Sequence, residues 1–418
     1  MTPTAPDLLR VLTAHTRSHG LPPPAALIGD WADADAVIAP SIDIRPGVPP
    51  PNHPDRFWLG YLGFPVRSDE SVLPPTAGGL IDHLLVLRDG RWHEVVASDG
   101  HRAPDWVRDC LARLDVPRGG DTAGPNNSSD RYDTAGRDAD IDGAWSARWA
   151  PPERAPHRRA VESCLAAIRA GEIYQACVCT RFTGRIDGST TQFYADLTAA
   201  TTPAKSALLH GDWGTVASFS PETFLSRRGD TVTSAPIKGT LPADADPDVL
   251  SASSKDIAEN IMIVDLVRND LSRVAHTGTV RVTELLDVVA APGVWHLVSR
   301  VAATVPREVG NDRLLAATFP PASVTGTPKL RAMELLAEWE ADNRGVYCGA
   351  IGLAGPDGLL DLNVAIRTVQ IAPDGAATLG VGGGITVDSD PGREWQECLD
   401  KAASVVGHRP RSCSSSAR

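Results

Sequence analysis

"GTVASFSPETFLSRRGDTVTSAPIKGT", residues 214 to 240, decides the fold. Apolar and polar residues alternate on both sides of Gly229-Asp230, which predicts successive antiparallel strands turning at that dipeptide. The stretch from 347 to 385, "YCGAIGLAGPDGLLDLNVAIRTVQIAPDGAATLGVGGGI", repeats the pattern, with turns at Pro356-Asp357-Gly358 and Pro373-Asp374-Gly375. Earlier, "HLLVLRDGRWHEVVASD" (83 to 99) reads as a hairpin closed at Asp89-Gly90. Helical segments separate these blocks without the regular strand-helix-strand rhythm of a parallel sheet. The fold class is therefore α+β, built on large antiparallel sheets.

The 418 residues suffice for a substantial buried core, and the net charge of −12 excludes a nucleic-acid backbone or an anionic membrane as the main partner. No apolar run approaches the roughly 18 residues that span a bilayer, and the N-terminus has no basic segment followed by an apolar one, so a cytoplasmic protein is expected. Seven cysteines include no C-x-x-C pair and no zinc-like spacing. Composition divides the chain into a strand-rich part (1–117), a flexible linker or loop (118–143), the main body (144–408) and a disordered tail (409–418).

Chemistry-bearing residues stand out against this frame. Of the 40 basic residues only Lys205, Lys238, Lys255, Lys329 and Lys401 are lysines. A lysine kept in so arginine-rich a chain is a candidate for work that needs a compact ammonium or a nucleophilic amine. In "SSKDIAENIMIVDLVRNDL" (253 to 271) a serine caps a helix, Ile257, Ile261 and Val264 form an apolar stripe, and Glu259 shares a face with Ile263 and Leu266. A carboxylate there needs a metal, an arginine such as Arg268, or a proton. Asp390 and Pro391 open a second helix, along which Glu394, Glu397 and Lys401 line one side. Just upstream, Gly382, Gly383 and Gly384 are expected to end a strand and offer bare backbone N–H groups to an anion. Neither a phosphate-binding loop nor a dinucleotide fingerprint is present, and an anionic small molecule held with Mg²⁺ fits better.

Nine motifs, "GEIYQACVCTRF" (171–182), "SFSPETF" (218–224), "APIKGT" (235–240), "AENIMIVDLVRNDLSRV" (258–274), "VWHLVS" (294–299), "SVTGTPKLRAME" (323–334), "YCGAIG" (347–352), "AIRT" (365–368) and "GGGITVDSDPGREWQECLDKA" (382–402), together resemble the chorismate-utilising enzymes in order and spacing. The resemblance covers about 145–405 and, through "LGYLGF", loosely the part before it. It implies the two sheets packed as a central sandwich with helices outside. It implies Glu222 as general acid, Lys238 as the amine that attacks the ring, and His296 in the same catalytic site. Tyr347, Arg367, Thr325, Gly382 to Gly384 and Lys401 are implied to bind substrate, and Glu259 and Glu397, with Glu394 beside them, to hold Mg²⁺.

Within the family, Gln175 replaces the lysine with which the water-using members activate water. Lys238 stands where anthranilate synthases usually carry alanine and aminodeoxychorismate synthases carry lysine. The expectation is a chorismate aminase using ammonia, with anthranilate synthesis or a silent chorismate-binding subunit as the rival readings. No glutaminase-like cysteine elbow with a His/Glu pair is found, so ammonia from glutamine would need a separate glutaminase subunit. The loop before "SVTGTPK" departs from the family pattern: Pro321 and Ala322 replace two glycines and stiffen it.

Overall fold

The computed structural model describes residues 3–65, 71–115 and 143–410. The expected linker and tail thus lie outside the described residues, apart from Gly143, Arg409 and Pro410. Among the described residues, two antiparallel sheets of eleven and ten strands face one another. Trp31, Leu27 and Leu209 of the first sheet pack against Leu59, Tyr61 and Ile351 of the second in one buried layer. Helices cover both outer faces. Ala5–Ser18, Thr190–Thr201 and Pro391–Val406 lie on the first sheet, and Ser254–Ser272 and Asn311–Thr318 on the second. The α+β sandwich is as the sequence pattern and the resemblance implied.

Residues before 117 are woven into both sheets. Ala25–Trp31 pairs with Lys205–Gly211 in the first, and Phe57–Leu62 pairs with Ala350–Gly355 in the second. The 83–99 segment forms the expected hairpin, His83–Arg88 against Arg91–Val96, with Asp89 and Gly90 both at positive φ.

The run of strands from 214 to 242 differs from a simple meander. Gly214–Ser220 belongs to the first sheet, while Thr223–Arg228, Thr231–Ala235 and Ile237–Pro242 belong to the second. The chain changes sheets at Pro221-Glu222. A second crossing lies beside it: Leu359–Val364 is in the second sheet and Thr368–Ile371 in the first, so the chain returns through Ala365 to Arg367. Backbone bonds stitch the crossings together, with Val364 N–H donating to the Glu222 carbonyl at 3.0 Å and Phe219 N–H to the Arg367 carbonyl at 3.0 Å. Alternation alone marks strands but not the sheet each one joins, which is why the crossings were not legible.

Ser254–Ser272 starts as expected, the Ser253 side chain accepting from the Asp256 N–H. Its buried face is centred not on the expected Ile257, Ile261 and Val264 stripe but on the one that carries Glu259, Ile263 and Leu266. Ile261 is 47% exposed, while Asn260 is buried and satisfied by the Leu297 carbonyl and the Ser299 hydroxyl. A helix lying flat on a sheet buries a broad face, and a polar residue on it survives when the sheet supplies partners. Among the described residues, no helix is long and apolar enough to cross a membrane.

Candidate active site

A cavity of about 620 Å³ opens where the two crossings, the Gly382–Gly384 strand, the start of the Ser254–Ser272 helix and the middle of Pro391–Val406 meet. That volume suits a small-molecule ligand. Glu222 reaches it from the first crossing, Arg367 from the second, and Lys238 and His296 from adjacent strands of the second sheet. Tyr347, Lys401, Glu259, Glu397 and the three glycines also line the wall, and of the expected set Thr325 and Glu394 do not.

Glu222 is 4% exposed, and burial pushes its carboxyl up to about 6 against the pull of the Ser323 hydroxyl and the Lys238 ammonium. A carboxyl so placed keeps a proton to donate up to about pH 6, beyond the range of an ordinary carboxyl. Lys238 Nζ donates to the Ser323 carbonyl at 3.3 Å. The rigid Pro321-Ala322 turn therefore carries the group that aims the amine. His296 is buried, with Nδ1 2.9 Å from the Thr240 hydroxyl; burial, helped by nearby Arg367, pushes it down to about 4. The ring is neutral at pH 7 and holds one donor and one acceptor.

The Arg367 residue adopts φ +50° at the second crossing, and burial lowers its pKa. Among the described residues its guanidinium has no ion-pair partner. A charged fork facing a cavity without a carboxylate of its own is suited to one carried by a ligand. Lys401 donates to the Gly382 carbonyl at 2.9 Å and pairs with Glu397 at 2.6 Å. Burial opposes the charge on both, yet each holds the other ionised: Lys401 is shifted up and Glu397 down. Burial of the Tyr347 phenol raises its pKa well above the ordinary value.

The glycine run lies at the end of the Ala376–Ile385 strand, as expected, and pairs on one side only, Gly382 to Gly384 in register with Cys179 to Cys177. The missing side chains also leave room for the site. A Cβ at Gly384 would lie 3.2 Å from Glu259 Oε2, 3.5 Å from Lys238 Nζ and 3.6 Å from the side-chain oxygen of Gln175. At Gly383 it would lie 3.1 Å from Glu394 Oε2. The carboxylates and the amine thus crowd against bare backbone.

Thr325 is not brought to the cavity wall. Its hydroxyl donates to the Pro321 and Ala322 carbonyls, both at 3.2 Å, because the short Ala322–Val324 turn folds it back on itself. Glu394 stands behind the wall, accepting from Ser389 Oγ at 2.7 Å and Lys255 Nζ at 3.2 Å. Arg268 does not serve Glu259; it pairs with Asp265 on the solvent side of the helix.

Two braces, of which Arg344 was not foreseen, support the loop that holds the Ala322–Val324 turn. Arg344, buried and paired with Glu340 at 2.7 Å, donates to the Val324 and Cys177 carbonyls and so ties the 322–324 turn to the wall strand. The i, i+4 spacing of Glu340 and Arg344 carried that signal. Lys329, paired with Asp270 at 2.6 Å, donates to the Thr318 and Pro320 carbonyls and pins the same loop from the other side.

The donor set bears on whether a metal fits. Glu259, Glu394 and Glu397 offer hard oxygens, and Glu259 Oε1 and Glu394 Oε2 are buried with no hydrogen-bond partner. Such orphaned carboxylate oxygens fit a hard divalent cation such as Mg²⁺. As they stand, no three acidic, His or Cys groups among the described residues are gathered closely enough to hold an ion.

Residues 49–407 match the family described as chorismate binding enzyme, and the chain belongs to that family. Aminodeoxychorismate synthase component 1 of Klebsiella aerogenes is 41% identical over 270 residues, 63% of this chain and 59% of that protein. Aminodeoxychorismate synthase of Streptomyces pristinaespiralis is 35% identical over 376 residues, 84% of this chain and 50% of that protein. The chain therefore spans between half and six-tenths of these curated relatives. Among solved structures, anthranilate synthase component I of Streptococcus pneumoniae superposes with a TM-score of 0.67 at 25% identity, covering 87% of this chain and 83% of that one.

Proposed function

We propose that this chain converts chorismate and ammonia to 4-amino-4-deoxychorismate, the precursor of p-aminobenzoate, as a component 1 that receives ammonia from a separate glutaminase. The observation that carries this reading is that an amine, Lys238, and an acid whose pKa burial raises to about 6, Glu222, line one cavity.

Amination at C4 requires the C4 hydroxyl to depart, and hydroxide is a poor leaving group. Glu222 delivers a proton so that it leaves as water. Lys238, once its ammonium has passed a proton to solvent, adds at C2 through the nitrogen lone pair as the ring double bonds shift and the C4–O bond breaks, leaving a C2–N bond to the enzyme. Ammonia then adds at C4, the double bonds shift back, and the lysine amine is expelled as the new ammonium gives up a proton. Arg367 and Lys401 are the cations for the two substrate carboxylates. Gln175, an amide with no basic nitrogen, cannot activate water, which favours nitrogen over oxygen as the entering atom. Glu259 and Glu397, with Glu394 behind them, would hold Mg²⁺, which when bound supplies a fixed positive charge for the ring carboxylate.

The test is product analysis of the purified chain with chorismate, Mg²⁺ and ammonium. The aminated, pyruvyl-bearing product is expected; anthranilate with free pyruvate would overturn the reading in favour of anthranilate synthesis. Lys238→Ala should lower amination by on the order of 100-fold or more. Lys238→Arg, which keeps the charge but cannot add to carbon, should be equally impaired. An active arginine variant would make the lysine an electrostatic helper.

A further inference from the structure

Lys255 is a residue the reaction above does not use. It sits in the first turn of Ser254–Ser272, with Nζ 3.2 Å from Glu394 Oε1 and 3.9 Å from Glu259 Oε1. The two carboxylates come from different helices and are buried, their side chains 2% and 8% exposed. The lysine side chain is 44% exposed. One ammonium thus stands between two buried acids, and it satisfies them incompletely: Glu259 Oε1 and Glu394 Oε2 have no hydrogen-bond partner. Burial shifts Glu259 upward even against the pull of Lys238 and Lys255.

We propose that Lys255 is a tethered cation that holds the place of a divalent ion between Glu259 and Glu394 while the ion is absent, and must swing out for the ion to enter. The proposal rests on reading these acids as part of a divalent-cation set. Buried carboxylates left without a cation strongly destabilise a fold, so an empty site of this kind needs a substitute charge. A lysine suits the task because its ammonium is a point charge on a flexible four-carbon stem whose outer side already meets solvent. Two cations cannot share so small a space: the ammonium that stabilises the ion-free protein opposes the incoming ion by Coulomb repulsion.

The experiment uses the full chain without chorismate and compares the unaltered protein with Lys255→Gln and Lys255→Arg. Mn²⁺ is titrated and free Mn²⁺ read by electron paramagnetic resonance, alongside thermal midpoints with and without the ion. Lys255→Gln should bind Mn²⁺ at least tenfold more tightly, melt lower without the ion and gain more from it. Lys255→Arg, whose fork grips both acids, should bind no more tightly than the unaltered protein, and this comparison decides the matter if Lys255→Gln does not fold. Equal or weaker binding by Lys255→Gln, or tighter binding by Lys255→Arg, would overturn the proposal and leave the divalent site standing. Absence of Mn²⁺ binding in every variant would overturn both.

Discussion

None of the five lysines in this chain is an ordinary solvent charge. Lys238, Lys255 and Lys401 surround the cavity acids, and Lys205 and Lys329 are buried in ion pairs. At the residue scale the rarity of lysine thus points to buried or paired groups, but it does not separate the amine proposed to react from the structural ones. Glu222 gives this scale its prediction. Its folded value near 6 lies above the ordinary 4.5, so the folded protein binds the proton more tightly than the unfolded chain does. Below 4.5 the group costs nothing. As pH rises through 4.5 to 6 the fold loses up to about 2 kcal/mol. The acid form needed for turnover is lost over the upper part of the same range, so log kcat/KM should fall with unit slope above about pH 6. Glu222→Gln keeps the shape without the charge or the donatable proton. It should lower kcat by roughly 100-fold to 10,000-fold while raising the melting temperature at pH 8. Retained turnover, or an unchanged alkaline limb, would remove Glu222 from the acid role.

At the scale of the element, the Ala376–Ile385 strand shows what a sequence can and cannot disclose. Its existence, its turn at Gly375 and its position before the Asp390-capped helix followed from alternation, turn residues and capping. The room its glycines leave for Glu259, Lys238 and Glu394 did not, because a missing side chain takes its meaning from what another element places beside it. The same holds for Thr325, whose direction is set by a three-residue turn, and for Arg344, whose two carbonyl partners lie far off in sequence. Adding one methyl at Gly384 tests the point. It would press on Glu259 Oε2 at 3.2 Å, a contact that yields by a few tenths of an ångström because the atom ends a flexible side chain, and would fill the space up to Lys238 Nζ at 3.5 Å, narrowing the room in which the amine moves. Gly384→Ala should therefore fold with little change in melting temperature yet lose about tenfold or more in kcat, since misplacement of reacting groups by such distances is costly. Steady-state kinetics beside a melting curve check both halves; full activity would mean that the amine and the acid need no fixed spacing.

For the whole molecule, the site depends on how two large sheets are held in register across the sandwich. Glu222 and Arg367 lie on the segments that pass between the sheets, so a slide of one sheet against the other would separate them from Lys238 and Lys401. Hydrophobic contact across the sandwich is strong but non-directional, and it fixes registration poorly. Lys205 supplies direction. It lies on a first-sheet strand, pairs at 2.9 Å with Asp361 of the second sheet, and sets its ammonium over the Trp31 ring at 4.3 Å. The side chains of the pair are only 4% and 3% exposed. Asp361 also accepts from the Ala32 N–H at 2.8 Å, and its strand leads directly into the Arg367 crossing. Removing one member of a buried pair leaves the other charged without compensation, at a cost of about 3–5 kcal/mol. Arg228, 3.5 Å from the other Asp361 oxygen, would recover part of it and place Lys205→Ala near 3 kcal/mol. The variant should unfold at clearly lower urea. It should also show a raised KM for chorismate, because the Arg367 crossing loses its anchor. A fall in stability with KM untouched would assign Lys205 to packing alone and leave the registration of the sheets to their apolar contact.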